Sequence, residues 1–233
     1  MNLQGKRVLI TGGAKRVGAA IAQKLAAEGC ILALHCFTSL SEAENLLQKL
    51  PGKNHKIFTA DLSYPVEVEK FISKVGKFDL LVNNASQFFR PGSTEDLNAE
   101  NLYWQINYFT PKRLLEAFFD QKLSEGAAVN MVDSAVFHPG KGAYYESKKA
   151  LADLTKSLCR DFGSRNLRIN AIAPGAVLPP HWAPNSNMTK VLSQNTLHRA
   201  VKCEDLADMT VFMLKCDSMT GTIIPIDCGV PGA

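Results

Sequence analysis

The chain of 233 residues carries 26 Lys plus Arg against 22 Asp plus Glu, a net charge of +4, and 46% of it is apolar. That apolar content supports a substantial core and excludes wholesale disorder. The small positive excess contains no run of like charge, which speaks against a nucleic-acid-binding face.

Short β-rich runs alternate with helical periodicity from end to end. Val8–Thr11 reads as a buried strand, Gly18–Glu28 as a helix closed by Gly29, and Ile31–His35 as a second strand. Ser41–Leu50 follows as a helix capped by Ser41 and stopped by Pro51. Lys56–Ala60 is a third strand, Val66–Val75 a helix and Phe78–Val82 a fourth strand. Leu97–Phe119 is helical, with a bend expected near Pro111. Ala127–Val132 is a strand, Tyr144–Phe162 a long helix, Arg168–Ile172 a strand, Cys203–Leu214 a helix and Thr222–Ile226 the last strand. This rhythm predicts an α/β fold, a single Rossmann-type doubly wound parallel sheet with helices on both faces. We read residues 1–233 as one dinucleotide-binding catalytic domain. Its one irregular stretch begins at the Pro-rich segment Pro174–Met188, and a substrate loop over about 174–200 is expected there.

Cys30, Cys36, Cys159, Cys203, Cys216 and Cys228 stand far apart, without CxxC or Cys/His ligand spacing. No metal site or disulfide framework is therefore expected, and a reducing cytoplasm is the natural compartment. The early apolar run Val8-Leu9-Ile10 is too short for a signal-peptide core or a membrane span, so no membrane partner is expected.

The first strand-to-helix turn is Thr11-Gly12-Gly13-Ala14-Lys15-Arg16-Val17-Gly18. Glycines there let the backbone turn tightly and approach a pyrophosphate, whose charge sits at the helix N-terminus. The second strand ends in His35-Cys36-Phe37-Thr38-Ser39, with no carboxylate to accept from an adenosine 2′-hydroxyl. Two hydroxyls at Thr38 and Ser39, with Lys15 and Arg16 nearby, suit a 2′-phosphate and favour NADP(H). The competing reading is that Thr38 and Ser39 merely start the next helix. Asp61 is placed to meet the adenine amino group, or else to cap the following helix. Phe37 and Phe118-Phe119 read as core or interface residues, and His138, like the other histidines, as solvated or structural.

Further clusters fall where strands end: Asn83-Asn84-Ala85-Ser86, Asp133, and Tyr144-Tyr145-Glu146-Ser147-Lys148, with Asn107 in the long helix. Tyr144 and Lys148 are four apart, hence on one helical face. A neighbouring ammonium is expected to lower the phenol's pKa and make it a proton donor near neutral pH. Tyr145 and Lys149 share that spacing. Together with Asn170-Ala171-Ile172-Ala173-Pro174-Gly175 and Thr220-Gly221, these features resemble the short-chain dehydrogenase/reductase family from Gly5 to Gly229. Its pattern Tyr-x-x-Ser-Lys selects Tyr144 and Lys148. The resemblance implies that Tyr144 donates the proton, that Lys148 holds the nicotinamide ribose, and that Asn107 anchors a water beside the lysine.

Three departures from the family pattern occur together. The middle glycine of TGxxxGxG is Arg16, NNAG ends in Ser86, and the usual catalytic serine is Asp133. That combination is similar to pteridine reductases and the related bacterial dihydromonapterin reductases. By this resemblance a flat pterin lies between the nicotinamide and Phe88, while Arg16 and Ser86 reach it from the cofactor side. Asp133 orients Tyr144, relays a proton to it, or donates through water. The interval from Asp133 to Tyr144 is two residues shorter than in most relatives, and Thr38 stands where close relatives carry arginine.

The expected activity is NADPH-dependent reduction of a pterin (a dihydropterin, dihydrofolate or dihydromonapterin), with proton donation by Tyr144 and Asp133. The alternative is a short-chain carbonyl or 3-oxoacyl thioester reductase. Expected cofactor contacts are Gly12, Lys15, Arg16, Val17, Gly18, His35, Thr38, Ser39, Asp61, Leu62, Asn84, Ala85, Ser86, Tyr144, Lys148, Pro174 and Gly175. Expected substrate contacts are Arg16, Ser86, Phe88, Asp133, Tyr144 and Trp182, and the catalytic set is Asp133, Tyr144, Lys148 and Asn107. The resemblance also implies a homotetramer built through the two long helices.

Overall fold

The computed structural model of the protein describes residues 1–88, 97–180 and 183–231. Among these, seven strands form one parallel sheet: β1 (Arg7–Ile10), β2 (Ile31–Cys36), β3 (Lys56–Thr59), β4 (Leu80–Asn83), β5 (Gly126–Met131), β6 (Leu167–Pro174) and β7 (Ile223–Ile226). Their order is β3-β2-β1-β4-β5-β6-β7. The central β1 is flanked by β2 and β4, with Val8 opposite both Leu32 and Leu80. From β1 the chain winds outward one way to β3, then returns across the sheet to β4. The reversal leaves the turns after β1 and β4 side by side at the carboxyl edge, where ligands of such sheets bind.

Helices cover both faces, which is why β4 and β5 are buried along their whole lengths. On one side lie α1 (Arg16–Ala27), α2 (Leu40–Leu47) and α8 (Cys203–Lys215), which bury Ile21, Leu25, Leu46, Leu206 and Met213 against Val8, Ile10 and Leu34. On the other lie α3 (Pro65–Val75), α5 (Thr110–Asp120) and α6 (Ala143–Gly163), where Phe71, Phe118 and Phe162 pack on Leu9, Leu81 and Ile169.

The elements differ locally from expectation, and the largest difference has a clear cause. The helix expected over 97–119 is α4 (Leu97–Trp104), a π-helical turn (Gln105–Phe109) and α5. Pro111 has no N–H to donate back to the preceding turn, and Thr110 N–H donates to the Gln105 carbonyl instead, one residue beyond α-helical spacing. Pro111 itself sits in the first turn of α5, where a missing donor is tolerated. Helix α2 starts at Leu40 after Ser39, so Ser41 is not its cap. The segment after β6, expected to be irregular, contains the one-turn helix α7 (Thr189–Leu192), and a 3-10 turn (Ser134–Phe137) follows β5.

Candidate active site

The turn after β1 and the turn after β4 are tied into one unit. Thr11 Oγ1 accepts from Asn84 N–H and Ala85 N–H, both at 3.0 Å. The Asn84 amide donates back to the Thr11 and Gly12 carbonyls at 2.9 and 3.0 Å. Space here is minimal: a Cβ on Gly18 would come within 2.1 Å of the Gly12 carbonyl oxygen. Gly12 itself adopts φ +62, the left-handed region that suits glycine. His35 closes the arrangement from β2. Its Nδ1 accepts from Gly12 N–H at 3.1 Å and its Nε2 lies 3.1 Å from the Ala60 carbonyl. With Nδ1 accepting, Nε2 must carry the proton, so the ring is neutral, and burial pushes its pKa down to about 4.

These turns border a cleft of about 620 Å³ at the N-terminus of α1. No side chain caps that terminus and no acidic residue lies in its first turn, so its amides remain available for an anion. Gly12, Lys15, Arg16, Val17, Gly18, His35, Thr38, Ser39, Asp61, Leu62, Asn84, Ala85 and Ser86 all line this cleft. Lys15 Nζ pairs with Glu42 Oε1 at 3.3 Å across its rim. Asp61 does not cap α3; its Oδ1 accepts from the Ser63 amide and hydroxyl at 2.9 and 2.6 Å, which shapes the turn after β3. Phe37 is not in the core: it is 58% exposed and lines the cleft.

A second cleft of about 750 Å³ adjoins the first, sharing Arg16, Val17, Asn84 and Ser86 with it. Arg16 is left-handed at φ +54, where a glycine would be unstrained and another residue costs about 1 kcal/mol. Its guanidinium donates to the Pro179 and Leu178 carbonyls at 2.8 and 3.3 Å, so it ties the turn after β1 to the segment after β6. Phe88, Asp133, Tyr144, Lys148, Pro174 and Gly175 also line this cleft. Trp182, expected to touch substrate, lies outside the described residues.

Tyr144, in the first turn of α6, donates from Oη to Asp133 Oδ2 at 2.7 Å. The edges of Phe88 and Tyr103 pack around its ring, with centroids 5.0 and 5.7 Å away. Asp133 Oδ1 accepts from Ala135 N–H at 2.8 Å, which caps the 3-10 turn and holds the carboxylate in place. That turn and Gly142, at φ +96, lie in the interval between the two residues. The electrostatics differ from the sequence-based expectation. Burial and the adjacent Asp133 carboxylate raise the Tyr144 pKa well above 10 instead of lowering it. Loss of its proton would leave two anions in contact with no hydrogen between them.

Lys148 is fully buried, donates to the Met131 carbonyl at 2.9 Å, and is pushed down to about 8 by that burial. Asn107, in the π-helical turn, has no exposed surface. Its Oδ1 accepts from Ser86 Oγ at 3.0 Å and from Gln87 N–H at 3.1 Å, while its Nδ2 donates to Ser147 Oγ at 3.3 Å. Asn107 thus joins the turn after β4 to α6 from behind the cleft. Thr11 and His138 were missed as site residues from sequence. Thr11 had a signal, since it directly precedes Gly12 at the end of β1. His138, on the wall of the second cleft, had none.

A family model described as enoyl-(acyl carrier protein) reductase matches residues 12–231. The chain belongs to the short-chain dehydrogenase/reductase family. It is 30% identical to the 3-oxoacyl-[acyl-carrier-protein] reductase FabG of Staphylococcus aureus, over 97% of this chain and 98% of that one. It is 29% identical to pteridine reductase 1 of Leishmania tarentolae, over 95% and 94%. Among solved structures it resembles FolM alternative dihydrofolate reductase 1 from Brucella suis in complex with NADP. That likeness has a TM-score of 0.84 and 30% identity, covering 99% of this chain and 96% of that one. The chain is an oxidoreductase of this family, and no helix of the described residues is long and apolar enough to cross a membrane.

Proposed function

We propose that this protein is an NADPH-dependent reductase of a pterin, of the dihydropterin, dihydrofolate or dihydromonapterin class. The observation that carries the reading is the 2.7 Å hydrogen bond from Tyr144 Oη to Asp133 Oδ2. A carboxylate at that place opposes the alkoxide that develops when a simple ketone is reduced, whereas a ring nitrogen that is protonated before or as the hydride arrives develops no such anion. Phe88, Arg16 and Ser86 on the same cleft support it, offering an aromatic face and polar groups to a flat, polar bicycle. Similarity to pteridine reductase 1 and to FolM supports it as well.

The first cleft fits a dinucleotide, because glycines keep the pyrophosphate cradle open and the α1 amides are free. NADPH, when bound, supplies the hydride. Asp133, only partly buried, first takes up a proton from solvent and turns from acceptor to donor toward Tyr144 Oη. Tyr144 Oη then delivers its own proton to the ring nitrogen as it receives the one from Asp133, so no phenolate stands beside a carboxylate. Lys148, charged below about pH 8, holds the ribose hydroxyls, and Asn107 positions Ser86 and Ser147. Thr38, Ser39 and Lys15 receive the 2′-phosphate. We further place the protein in the cytoplasm as a homotetramer. The half-exposed Phe109, grouped with Trp104 and Tyr108 between α4 and α5, supports association through that helix.

The test is oxidation of NADPH, with NADH alongside, across dihydrobiopterin, dihydrofolate, dihydromonapterin and an acetoacetyl thioester. Turnover of a dihydropterin with NADPH is expected; good thioester or ketone turnover with none on any dihydropterin overturns the reading. A carbonyl or 3-oxoacyl thioester reductase is the second reading, favoured by the 30% identity to FabG. Asp133→Ser separates the two. It should lower pterin turnover about 10- to 100-fold and leave ketone reduction unchanged or improved.

A further inference from the structure

Among the described residues three buried side-chain atoms have no hydrogen-bond partner: Asn83 Oδ1, Asp227 Oδ2 and His138 Nε2. Asn83 spends its amide on Asn130, inside the core, and Asp227 uses its other oxygen to hold Gly229 N–H. Neither lines either of these two clefts. His138 lines the second one, on the wall that also carries Asp133 and Tyr144. Its backbone is clamped from both sides. His138 N–H donates to the Ala135 carbonyl at 3.0 Å, and Tyr145 Oη donates to the His138 carbonyl at 2.8 Å. The backbone is thereby held on that wall, and the unmatched Nε2 is buried without compensation within the protein.

We propose that His138 Nε2 is a substrate-binding atom that hydrogen-bonds a polar group remote from the bond being reduced. The distance argues for a remote group. His138 follows Asp133 across the 3-10 turn, and the rise of about 2 Å per residue in such a turn sets its backbone roughly 8–10 Å from that of Asp133. A two- or three-carbon ketone held at Tyr144 does not reach that far; a fused bicycle with its polar edge or substituent does. This inference rests on the pterin reading and deepens it. The site takes a substrate with a hydrogen-bonding group at the end opposite the reacting C=N bond, and His138 selects for that group.

The test is steady-state kinetics of His138→Leu and His138→Gln with the best dihydropterin and, in parallel, the thioester. For the leucine variant the substrate KM is expected to rise about tenfold, with kcat within about threefold and the KM for NADPH unchanged. Glutamine, whose amide can still donate and accept, is expected to recover most of the loss. An unchanged substrate KM overturns the proposal. So does an equal loss in both variants with lowered melting temperature, which marks a structural histidine. The wild-type substrate panel judges the pterin reading separately: if only the thioester is turned over, that reading fails, and the KM shift for the thioester still decides the role of His138.

Discussion

The two clefts share one wall yet are built on opposite principles. In the cofactor cleft the polar groups of the scaffold are matched to one another: Thr11 with Asn84 and Ala85, Gly12 with His35, Asp61 with Ser63. Glycines leave so little room that a single Cβ on Gly18 collides with backbone. In the substrate cleft, by contrast, Arg16 tolerates a left-handed backbone, a tyrosine hydroxyl faces a carboxylate, and a histidine nitrogen is unmatched. The first site presents a rigid surface of backbone amides to a ligand of constant shape. The second keeps unusual side chains whose satisfaction depends on one particular ligand. On the proposed reading, the matched region receives the cofactor shared across the family and the unmatched region the substrate.

Lys148 stands at the junction, so its replacement tests the comparison most severely. Lys148→Met should lower kcat at least about 100-fold while making the protein more stable. The folded pKa of about 8 lies below the ordinary 10.5, so the folded state disfavours the charged lysine. That penalty is fully present below pH 8 and is relieved as pH rises from about 8 to 10.5. It amounts to about 3 kcal/mol before the lost bond to Met131 is subtracted, leaving about 2 kcal/mol of gain at pH 7. Denaturant melts at pH 7 and pH 10 check the sign; equal stability of variant and parent at both would break the argument.

His35→Leu attacks the matched region. It leaves Gly12 N–H and the Ala60 carbonyl without partners, so NADPH affinity should fall about 10- to 30-fold, with about 2–3 kcal/mol of stability lost. Fluorescence titration with NADPH and thermal melts read both quantities. His35 also gives an acid limb. Its folded pKa of about 4 lies below the ordinary 6.5, so its contribution is complete above pH 6.5 and disappears as pH falls to about 4. The leucine variant should lack that part of the slope.

Arg16→Gly probes the unmatched region. Relief of the φ +54 strain offsets the loss of two hydrogen bonds to 178–179. Stability should therefore change by less than about 1 kcal/mol, while substrate KM rises about five- to tenfold. A large stability loss with unchanged KM would move Arg16 into the matched class. The smallest effect is expected from Glu42→Gln, which frees Lys15 for a 2′-phosphate. The KM for NADPH should drop about two- to threefold, with that for NADH unmoved, in keeping with an exposed ion pair.

Much of the cofactor cleft is legible in the sequence because its parts are local. Thr11 through Gly18 lie on one strand-turn-helix unit, and Asn84 and Ala85 directly end β4. His35 is a partial case: its position at the end of β2 marks it as near the cofactor, but its hydrogen bond to Gly12 depends on which strand lies beside β1. Asn107, a water anchor by resemblance, joins Ser86, Gln87 and Ser147 in the structure, contacts between elements that spacing along the chain does not foretell. The π-helical turn that carries it is legible only as a disturbance near Pro111.

The sequence by itself determined the alternation of strands and helices, the glycine turn and the pairing of Tyr144 with Lys148 on one helical face, because each follows from local periodicity and steric freedom. Only the tertiary structure decided the protonation state of that pair. Packing brings Asp133 from the end of β5 against the tyrosine hydroxyl and buries the lysine beneath Met131. The phenol is thereby pushed up and the ammonium down. Charge energetics in a protein depend on burial and on neighbours distant in the chain, and spacing along the sequence carries neither.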